Sequence, residues 1–498
     1  MMKITIVGTG YVGLVSGVCL AEFGHRVICV DTSPEKIAAL RNGMVPIYEP
    51  GLEPLMARNV AAGRLSFDTD IATAAKGADV LVVAVGTPTR ERDGQADLSQ
   101  VMGAVDGIAR ALTGYAVIVT KSTVPVGTSQ QIHARISALR PDAVFDVASN
   151  PEFLREGAAI DDFMNPDRVV VGTATARAQA VMIEMYEPLR KQKVPMLYTG
   201  LESAELIKYA SNGFLATKIS FVNELADLCE RIGANVREVS LGMGMDSRIG
   251  AAFLKAGPGY GGSCFPKDTR ALARMGQENG MALRVTEAVM HVNDTVKNRM
   301  IQKVVRACGG SVTGKMIAVL GVTFKADTDD MREAPALTIL PALIGAGAFV
   351  RAVDPQGYRQ GAALLPGVAW WESAYEAASG ADVLVVMTEW NDFGALDLSR
   401  LAREMRHPQM VDMRNLFTPE SVMAAGFSLY DAIGRGPERP DVARRQPKLV
   451  PELVGALNPV PDESQVTALQ PDAQPHVVRS TADRHRGLCP EPLAAVIC

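Results

Sequence analysis

The first thirty residues contain a strand, a glycine-rich turn, a helix and a second strand, and this order restricts the folds open to the chain. The apolar run Lys3-Ile4-Thr5-Ile6-Val7 has the length of a buried strand, and Gly8-Thr9-Gly10-Tyr11-Val12-Gly13 follows it directly. A helical stretch then runs to Phe23, and the next strand covers residues 26–30. This unit predicts a parallel sheet that is covered by helices on both faces.

The glycines of this turn are typical of a dinucleotide-binding site. Gly8 allows a tight turn, Gly10 lets a pyrophosphate approach the backbone, and Gly13 permits the helix to pack closely on the strand. The free N–H groups at the start of the helix also favour a phosphate. Asp31 closes the second strand, where an acid binds a ribose and repels a 2′-phosphate. We therefore predict NAD rather than NADP as cofactor; the alternative is a glycine turn that only packs.

The remaining apolar runs indicate two α/β regions with helices between them. Further buried strands are predicted at residues 80–85, 116–120 and 145–148. Residues 201–232 have the pattern of one long helix without an internal proline, and more helices follow to about residue 308. A second α/β series begins at residue 315. We predict an α/β fold with two Rossmann-like, doubly wound parallel-sheet domains joined by a helical middle domain with one long helix.

These patterns place the predicted domain boundaries. The cofactor-binding domain covers residues 1–200, the helical domain 201–308 and the second Rossmann-like domain 309–436. Residues 437–498 are rich in proline and polar residues, so we expect a disordered tail. A small appended domain is the alternative. The long helix has more apolar positions than one buried face needs, which predicts a homodimer or a higher homo-oligomer.

Composition narrows the class of protein further. A net charge of −5 gives no basic bias toward nucleic acid, and no apolar run is long enough to insert into a membrane. The seven cysteines are scattered, without a C-x-x-C pair or a metal-ligand cluster, so we expect no metal site and a reducing, cytoplasmic location. A first strand that starts at Lys3 leaves no room for a signal peptide.

Cys264 is the candidate nucleophile. It follows the glycine-rich run of residues 257–263, which cannot form a regular helix or strand and can bring backbone N–H groups close to phosphates or oxyanions. Lys267 is expected to lower the pKa of the thiol. A dehydrogenase that needs a thiol uses it to hold a substrate covalently while hydride leaves, so the pair of motifs points to oxidation of an alcohol to an acid. The alternative is a small buried hydrophobe, which we expect of Cys19, Cys29, Cys229 and Cys308.

Three other segments contribute candidate site residues. Lys208 and Asn212 share one face of the long helix, although a salt-bridging lysine and a packing asparagine are the commoner case. Ser122 and Thr123 follow a buried strand and are expected either to contact a ligand or to cap the next helix. After the following strand, residues 150–157 place Glu152 and Glu156 near the same edge, unless these are solvated loop acids.

Together these segments resemble the UDP-glucose 6-dehydrogenase family, within the wider group of nucleotide-sugar dehydrogenases. The matching motifs occur in one order, from residue 2 to about residue 430: GTGYVG, KSTVPVGT, NPEFLREG, AELIKYASNGFLATKISFVNE, GPGYGGSCFPKD, GVTFKADTDDMREAPAL and TEWNDF. The resemblance implies a UDP-sugar-binding C-terminal domain, NAD as cofactor and UDP-glucose as substrate. GDP-mannose and UDP-N-acetylhexosamines are the alternative substrates, but N-acetylhexosamine members tend to have histidine where this chain has Ser263. A silent sugar-nucleotide sensor is the alternative of another class.

The resemblance also implies roles for individual residues. Cys264 would form a thiohemiacetal and then a thioester, with Lys208, Asn212 and Asp268 around it, while Thr123 and Glu152 support water or proton movement. The implied cofactor-binding residues are Gly8, Gly10, Tyr11, Val12, Gly13, Asp31, Lys36, Thr87, Ser122, Thr123, Glu156, Lys267 and Arg332. The implied substrate-binding residues are Glu152, Phe153, Leu154, Lys208, Asn212, Arg248, Phe253, Lys255, Tyr260, Gly261, Phe324, Lys325 and Arg414, with Arg248 acting in a neighbouring subunit's site.

Overall fold

The computed structural model describes residues 1–90 and 94–440, and within them the first sheet has eight strands. These strands are β1 Lys3–Val7, β2 Arg26–Val30, β3 Leu65–Asp68, β4 Val80–Val83, β5 Ala116–Thr120, β6 Phe145–Ser149, β7 Val169–Thr173 and β8 Met196–Thr199. Their order is β3-β2-β1-β4-β5-β6-β7-β8, and only the β6–β7 pair is antiparallel. Every residue of β4 and β5 is buried, as expected of central strands covered on both faces.

Nine helices of the described chain cover the two faces of this sheet or connect its strands. They are α1 Tyr11–Glu22, α2 Pro34–Arg41, α3 Leu52–Ala61, α4 Ile71–Ala75, α5 Ser99–Ala111, α6 Thr128–Leu139, α7 Ala159–Met164, α8 Ala176–Met185 and α9 Glu187–Lys191. Two separate apolar clusters form, one around α1 and one around α5 and α6. A helix layer on each side of a parallel sheet is the doubly wound arrangement that the glycine turn predicts.

The middle of the chain is helical. It contains α10 Leu201–Ile232, α11 Val236–Gly244, α12 Phe265–Glu278 and α13 Arg284–Ala307. The predicted long helix is thereby confirmed, and it ends at Gly233, whose φ of 78° lies in the left-handed region that favours glycine. Helix α10 packs against β6 and β7 of the first sheet and against α12 and α13. It therefore places residues of the first sheet and of the cysteine loop around one element.

The second sheet has six parallel strands in the described chain. These are β9 Met316–Leu320, β10 Phe349–Val353, β11 Val368–Trp370, β12 Val383–Val386, β13 Gln409–Asp412 and β14 Leu429–Ala432, in the order β11-β10-β9-β12-β13-β14. Its helices are α14 Ala336–Gly345, α15 Tyr358–Leu364, α16 Ala374–Ala378, α17 Asn391–Gly394, α18 Leu398–Glu404 and α19 Pro419–Ala424. Two parallel-sheet domains on either side of a helical middle confirm the predicted fold class.

The strand predicted at residues 80–85 is shorter than expected. β4 ends at Val83, and the carbonyl of Val85 accepts a hydrogen bond from the Ser122 hydroxyl instead of from a neighbouring strand. At the other end of the described chain, Glu438 exchanges two backbone hydrogen bonds with Tyr430, so pairing continues two residues past 436. Apart from residues 437–440, the segment expected to be a disordered tail lies outside the described residues.

Candidate active site

The turn between β1 and α1 has the geometry that its three glycines predict. Gly8 has φ of 105°, and a Cβ there would lie 2.6 Å from the carbonyl oxygen of Ala84. A Cβ on Gly13 would lie 2.0 Å from the carbonyl oxygen of Gly8, because α1 starts so close to the strand end. By contrast, within the described residues no atom other than those of its chain neighbours lies within 4 Å of a Cβ built on Gly10. The backbone at Gly10 is therefore open to a ligand at the N-terminus of α1.

Asp31 follows β2 and faces the same turn. Its Oδ2 accepts hydrogen bonds from the Thr9 N–H at 2.9 Å, the Thr9 hydroxyl at 2.7 Å and Lys36 Nζ at 3.0 Å. Burial opposes ionisation, but these bonds and one from the Ser33 N–H lower the pKa of Asp31 to about 2. The carboxylate is charged at neutral pH and would repel a 2′-phosphate. The open turn and this acid fit NAD.

Other predicted cofactor residues surround the carboxyl ends of the first sheet. The Tyr11 hydroxyl donates to Glu49, and both groups accept hydrogen bonds from the Gly157 N–H. Val12 lies in α1, directly after Tyr11. The Thr87 hydroxyl donates to the carbonyl oxygen of Thr123 at 2.9 Å. The loop after β5 is thus held against the loop after β4, at the edge where parallel sheets bind ligands.

Lys208 and Glu152 form a buried ion pair. Lys208 Nζ lies 2.9 Å from Glu152 Oε1, and the Leu154 N–H donates to Glu152 Oε2 at 2.6 Å. Burial would raise the pKa of Glu152, but the Lys208 ammonium, the Leu154 N–H and the Lys121 charge together lower that pKa below its usual value. Burial also opposes charging of Lys208, but Glu152, Cys264 and Asp268 raise the pKa of Lys208 above its usual value. Both groups are therefore charged, and neither Glu152 nor Lys208 is a solvated surface residue.

Asp268 joins the cysteine loop to the long helix. It is fully buried in the first turn of α12, and its Oδ2 accepts a hydrogen bond from Asn212 Nδ2 at 2.6 Å. Its Oδ1 lies 2.6 Å from Lys267 Nζ. Lys208 and Asn212 are one turn apart on α10, so one face of this helix contacts two buried carboxylates.

Cys264 is the residue before α12, and the Asp268 N–H donates to its carbonyl oxygen at 2.8 Å. Burial raises the pKa of the thiol to about 11; the Lys208 ammonium acts in the opposite direction. The expectation that Lys267 would lower the pKa of the thiol is wrong, because burial raises that pKa and the Lys267 side chain pairs with Asp268 instead. With this pKa the thiol is protonated at neutral pH. The other four cysteines of the described chain are unpaired, and Cys308 is the one among them that is partly exposed.

Residues 253–263 lead directly into Cys264, and two of their aromatic rings pack against Phe265 at the start of α12. The Tyr260 N–H donates to Asn293 Oδ1 at 2.8 Å, and the Tyr260 ring meets Phe265 edge-on at 5.9 Å. Phe253 has φ of 63°, unusual for a bulky residue, and its ring lies 6.0 Å from that of Phe265. A Cβ on Gly261 would lie 2.5 Å from the carbonyl oxygen of Glu333 in the second α/β domain. The glycine run therefore allows the cysteine loop to approach that domain.

Glu156 is in contact with several residues of the second α/β domain. Its carbonyl oxygen accepts a hydrogen bond from Lys325, and its Oε2 accepts one from the Thr328 hydroxyl at 2.9 Å. Arg332 lies 3.6 Å from Glu156 Oε1 and 2.7 Å from Asp330. Burial and the charge of Asp330 raise the pKa of Glu156 to about 7. Glu156 is therefore a partly buried contact between domains, not a solvated loop acid.

Arg414 lies on the same side as the cysteine loop. Its guanidinium donates to the carbonyl oxygens of Met387 at 2.8 Å and Phe324 at 2.7 Å. A Cβ on Gly257 would lie 3.2 Å from Arg414 Nη1. Phe324 itself leaves little space over Gly262, where a Cβ would lie 2.8 Å from its ring. The structure thus brings these predicted substrate residues against the glycine run.

Other predicted substrate residues have different environments. Arg248 is 87% exposed and pairs with Asp246 on its own loop, and Lys255 is exposed. The Phe153 ring lies under the guanidinium of Arg168 at 3.9 Å and 5.4 Å from Lys208 Nζ, next to Leu154. Phe153 and Leu154 are therefore partly buried, with Phe153 close to Lys208, whereas Arg248 faces solvent.

Two buried contacts at the site escaped the sequence analysis. Lys121 donates to Asn150 Oδ1 at 3.0 Å. Its position directly before Ser122 could have indicated that Lys121 also lies at the site. Glu205 accepts hydrogen bonds from the N–H groups of Gly127 and Ser129, each at 2.7 Å, and so caps α6. Neither Ser122 nor Thr123 caps that helix, because Gly127 is the N-cap residue and the cap comes from α10. Glu205 lies three residues before Lys208, and this spacing could have indicated that both side chains lie on one face of α10.

Two further properties concern residues 1–90 and 94–440. No group of three or more His, Cys, Asp or Glu side chains there is placed to hold a metal ion. Among the helices of these residues, none combines the length and the apolar character needed to cross a membrane.

Comparison with known proteins finds one family in three parts of the chain. Models of the UDP-glucose/GDP-mannose dehydrogenase family match the chain in three parts: its NAD binding domain at residues 2–190, its central domain at 202–295 and its UDP binding domain at 318–419. The UDP-glucose 6-dehydrogenase of Rhizobium meliloti (strain 1021) is 53% identical over 436 residues, covering 87% of this chain and 100% of that protein. TuaD, a UDP-glucose 6-dehydrogenase of Bacillus subtilis (strain 168), is 46% identical and covers 87% of this chain and 94% of its own.

Solved structures show the same likeness. A UDP-glucose dehydrogenase from the hyperthermophilic archaeon Pyrobaculum islandicum superposes with a TM-score of 0.81 at 36% identity, covering 88% of this chain and 98% of that one. The cofactor predicted from the glycine turn agrees with the NAD binding domain that matches the same residues. The chain therefore belongs to the UDP-glucose/GDP-mannose dehydrogenase family.

Proposed function

We propose that this protein is an NAD-dependent UDP-glucose 6-dehydrogenase, which oxidises the C6 hydroxyl of UDP-glucose to the carboxylate of UDP-glucuronate. The observation that carries the proposal is the position of Cys264 beside the buried charges of Lys208, Glu152 and Asp268. A thiol next to an ammonium and two carboxylates can bind an aldehyde covalently and exchange protons during the reaction.

The reaction has two oxidations and one hydrolysis. NAD, when bound at the Gly8–Gly13 turn, accepts the hydride of each oxidation. The C6 hydroxyl first loses a proton and a hydride, and the resulting aldehyde is captured by Cys264, whose sulfur bonds to C6 and whose proton passes to the oxygen. This thiohemiacetal loses a second hydride and a proton to become a thioester. Water then attacks C6, the C–S bond breaks, and the thiol takes back its proton as the acid leaves.

The buried pair and the amide have separate tasks in this scheme. The Lys208 ammonium and the Asn212 amide stabilise negative charge on the C6 oxygen as it develops. Glu152 and Thr123 support the movement of the attacking water and its proton. Asp268 either assists proton transfer or sets the charge state of Lys208, because it contacts Asn212 and influences both Lys208 and Cys264.

The binding residues divide between the two α/β domains. Gly10, Asp31 and Thr87 lie at the sheet edge where NAD would bind, and Arg332 and Glu156 meet across the domains beside it. Lys325, Phe324 and Arg414 would contact the UDP-sugar, with Tyr260 and Gly261 supplied by the cysteine loop. The remaining residues would bind as the family resemblance implies. Lys36, Ser122 and Lys267 would contact NAD, and Phe253 and Lys255 would contact the sugar nucleotide.

UDP-glucose is the favoured sugar nucleotide. Eight curated relatives at 40–53% identity are UDP-glucose 6-dehydrogenases, whereas a UDP-D-ManNAc dehydrogenase from Pyrococcus horikoshii is 25% identical. Ser263 also stands where N-acetylhexosamine members tend to have histidine. A silent sensor is disfavoured, because a non-catalytic chain has no need of a buried Lys208–Glu152 pair beside a thiol, and burial of charges is costly.

We further propose that the protein acts in the cytoplasm as a homodimer or a higher homo-oligomer. Four apolar side chains follow one another along α10 at a spacing of seven to eight residues, and each is at least 44% exposed. They are Leu206, Phe214, Phe221 and Leu228. An exposed apolar stripe of this kind fits a second copy of the chain. Arg248 faces solvent in its own chain and would then reach the neighbouring subunit's site.

The direct test is a substrate panel. Purified protein is mixed with NAD and, separately, UDP-glucose, GDP-mannose or UDP-N-acetylglucosamine, and the absorbance of NADH is followed. We expect turnover with UDP-glucose and about two NADH per sugar, because alcohol to acid is a four-electron oxidation. One NADH per sugar would contradict the thioester step. Turnover with only GDP-mannose or only UDP-N-acetylglucosamine would identify that compound as the substrate instead. No turnover with any of the three would support a non-catalytic sugar-nucleotide sensor.

A further inference from the structure

Lys121 is a buried amine at the carboxyl end of β5. Its residue is 5% exposed, and its Nζ donates to Asn150 Oδ1 at 3.0 Å and lies 3.4 Å from the Tyr186 hydroxyl. The Phe163 ring covers it from 5.5 Å. In the described part of the chain, no carboxylate lies within 4 Å of this nitrogen to form an ion pair. A buried cation without such a partner is costly, so its presence calls for a physical reason.

The surrounding network ties this amine to the loop that carries Glu152. Asn150 directly follows β6, and its Nδ2 donates to the carbonyl oxygen of Val170 at 2.8 Å. The Tyr186 hydroxyl donates to the same Asn150 Oδ1 at 2.6 Å. Lys121 and Tyr186 therefore hold the Asn150 side chain from one side, and Glu152 lies only two residues further along the chain.

The titratable and charged groups that face Lys121 come from four elements. Glu152 favours its charge, Lys208 of α10 opposes it, the Cys19 thiol of α1 favours it weakly, and the Tyr186 hydroxyl follows α8. Burial is the largest influence and lowers the pKa of Lys121 to about 8. In return, Lys121 is one of the groups that lower the pKa of Glu152. The amine thus acts on the Glu152–Lys208 pair through charge, without an ion-pair contact of its own.

We propose that Lys121 is a positioning residue for the reaction, which keeps Glu152 ionised through its charge and holds the Glu152 loop in place through Asn150. The inference rests on the proposed function, in which Glu152 supports the attack of water on the thioester. Loss of the Lys121 charge leaves Lys208 as the cation beside Glu152. Glu152 then takes up a proton at a higher pH and is a poorer partner for water.

The test compares Lys121→Met with Tyr186→Phe and with Lys297→Met. Tyr186→Phe keeps the charge but removes one hydrogen bond to Asn150. Lys297→Met removes another buried lysine, which pairs with Asp294 on α13. The pH profiles of kcat and KM for UDP-glucose are measured for each variant, together with Tm.

For Lys121→Met we expect the acidic limb of the kcat profile to move to higher pH, because loss of a nearby positive charge raises the pKa of Glu152. KM for UDP-glucose should change less than about twofold, and Tm should not fall, because a costly buried charge is removed. Tyr186→Phe and Lys297→Met should keep the wild-type acidic limb. A uniform loss of kcat with a lower Tm and an unmoved limb would mean that Lys121 is only structural, and would overturn the inference.

A second variant keeps the inference testable if Lys121→Met does not fold. Lys121→Gln removes the charge but keeps an N–H donor for Asn150, so its acidic limb should also move to higher pH, and an unmoved limb would overturn the inference. Failure of the proposed function is distinguishable, because wild-type protein would then produce no NADH from UDP-glucose at any pH.

Discussion

Lys208 Nζ lies 2.9 Å from Glu152 Oε1, and both side chains are buried between the first sheet and the long helix α10. A buried charge that loses its partner is left unpaired and desolvated. We expect Glu152→Gln and Lys208→Met each to lower the free energy of unfolding by about 3 kcal/mol. The double variant should recover part of this loss in denaturant unfolding. The exposed pair Arg274–Glu278 is the control, because such a pair contributes less than about 1 kcal/mol. If the double variant lost the sum of the two single losses, Glu152 and Lys208 would not be coupled.

Replacement of Cys264 tests the covalent step. Cys264→Ser should bind both ligands but lose turnover by about a thousandfold, roughly 4 kcal/mol of barrier, because a hydroxyl has a far higher pKa and an oxygen ester would form and hydrolyse poorly. A single slow turnover with a sugar-nucleotide adduct on the protein mass would support the nucleophile. Cys229→Ser, at a buried cysteine of α10, controls for loss of a thiol. Wild-type rates in Cys264→Ser would show that Cys264 is not the nucleophile.

Asp31 should determine the choice of cofactor. Since hydrogen bonds lower its pKa to about 2, the carboxylate is charged over the working pH range, and the preference for NAD should not vary with pH. We expect Asp31→Asn to raise kcat/KM for NADP by about tenfold, since removal of one repulsion is worth roughly 1.4 kcal/mol. Steady-state kinetics with both cofactors measure this ratio. Comparable wild-type kcat/KM for NAD and NADP would contradict the prediction.

Glu156 should make stability depend on pH. Burial and Asp330 raise its folded-state pKa to about 7, above the ordinary value of 4.5. The folded state therefore holds this proton more tightly, and the stability it contributes below the ordinary pKa is lost as pH rises toward about 7.

We expect Glu156→Gln to have a higher Tm than wild type above this range and an equal Tm at acid pH. The matched control is Glu53→Gln, at an exposed carboxylate of α3. A constant difference in Tm at every pH would show that the Glu156 contact acts through packing and not through its proton.

The exposed stripe on α10 should be a contact between subunits. Light scattering at micromolar concentration should give at least a dimer for wild type, and replacement of Phe214 and Phe221 by serine should lower that mass, because both rings are exposed in the single chain. Replacement of exposed Phe349 in the second α/β domain is the control. A wild-type monomer would contradict the prediction and would remove the proposed role of Arg248 in a neighbouring site.

Contiguous features were predictable from the sequence. The turn at Gly8–Gly13 follows from local backbone geometry, since the same few residues make the strand end, the turn and the helix start. The long helix follows from an uninterrupted helical pattern, and it lies within the predicted bounds. Cys264 was a candidate because its glycine-rich neighbours exclude regular structure. In each case the physical cause acts between residues that are close along the chain.

Tertiary structure alone decided how the charges pair. Lys267 is three residues from Cys264, but its ammonium contacts Asp268, and burial rather than sequence proximity raises the pKa of the thiol. Lys121 meets Asn150 because β5 and β6 are neighbours in the sheet, and Glu205 caps a helix that lies more than seventy residues earlier in the chain. Burial and distance set pKa values and hydrogen bonds, and both depend on which elements pack together. That information is absent from any local stretch of sequence.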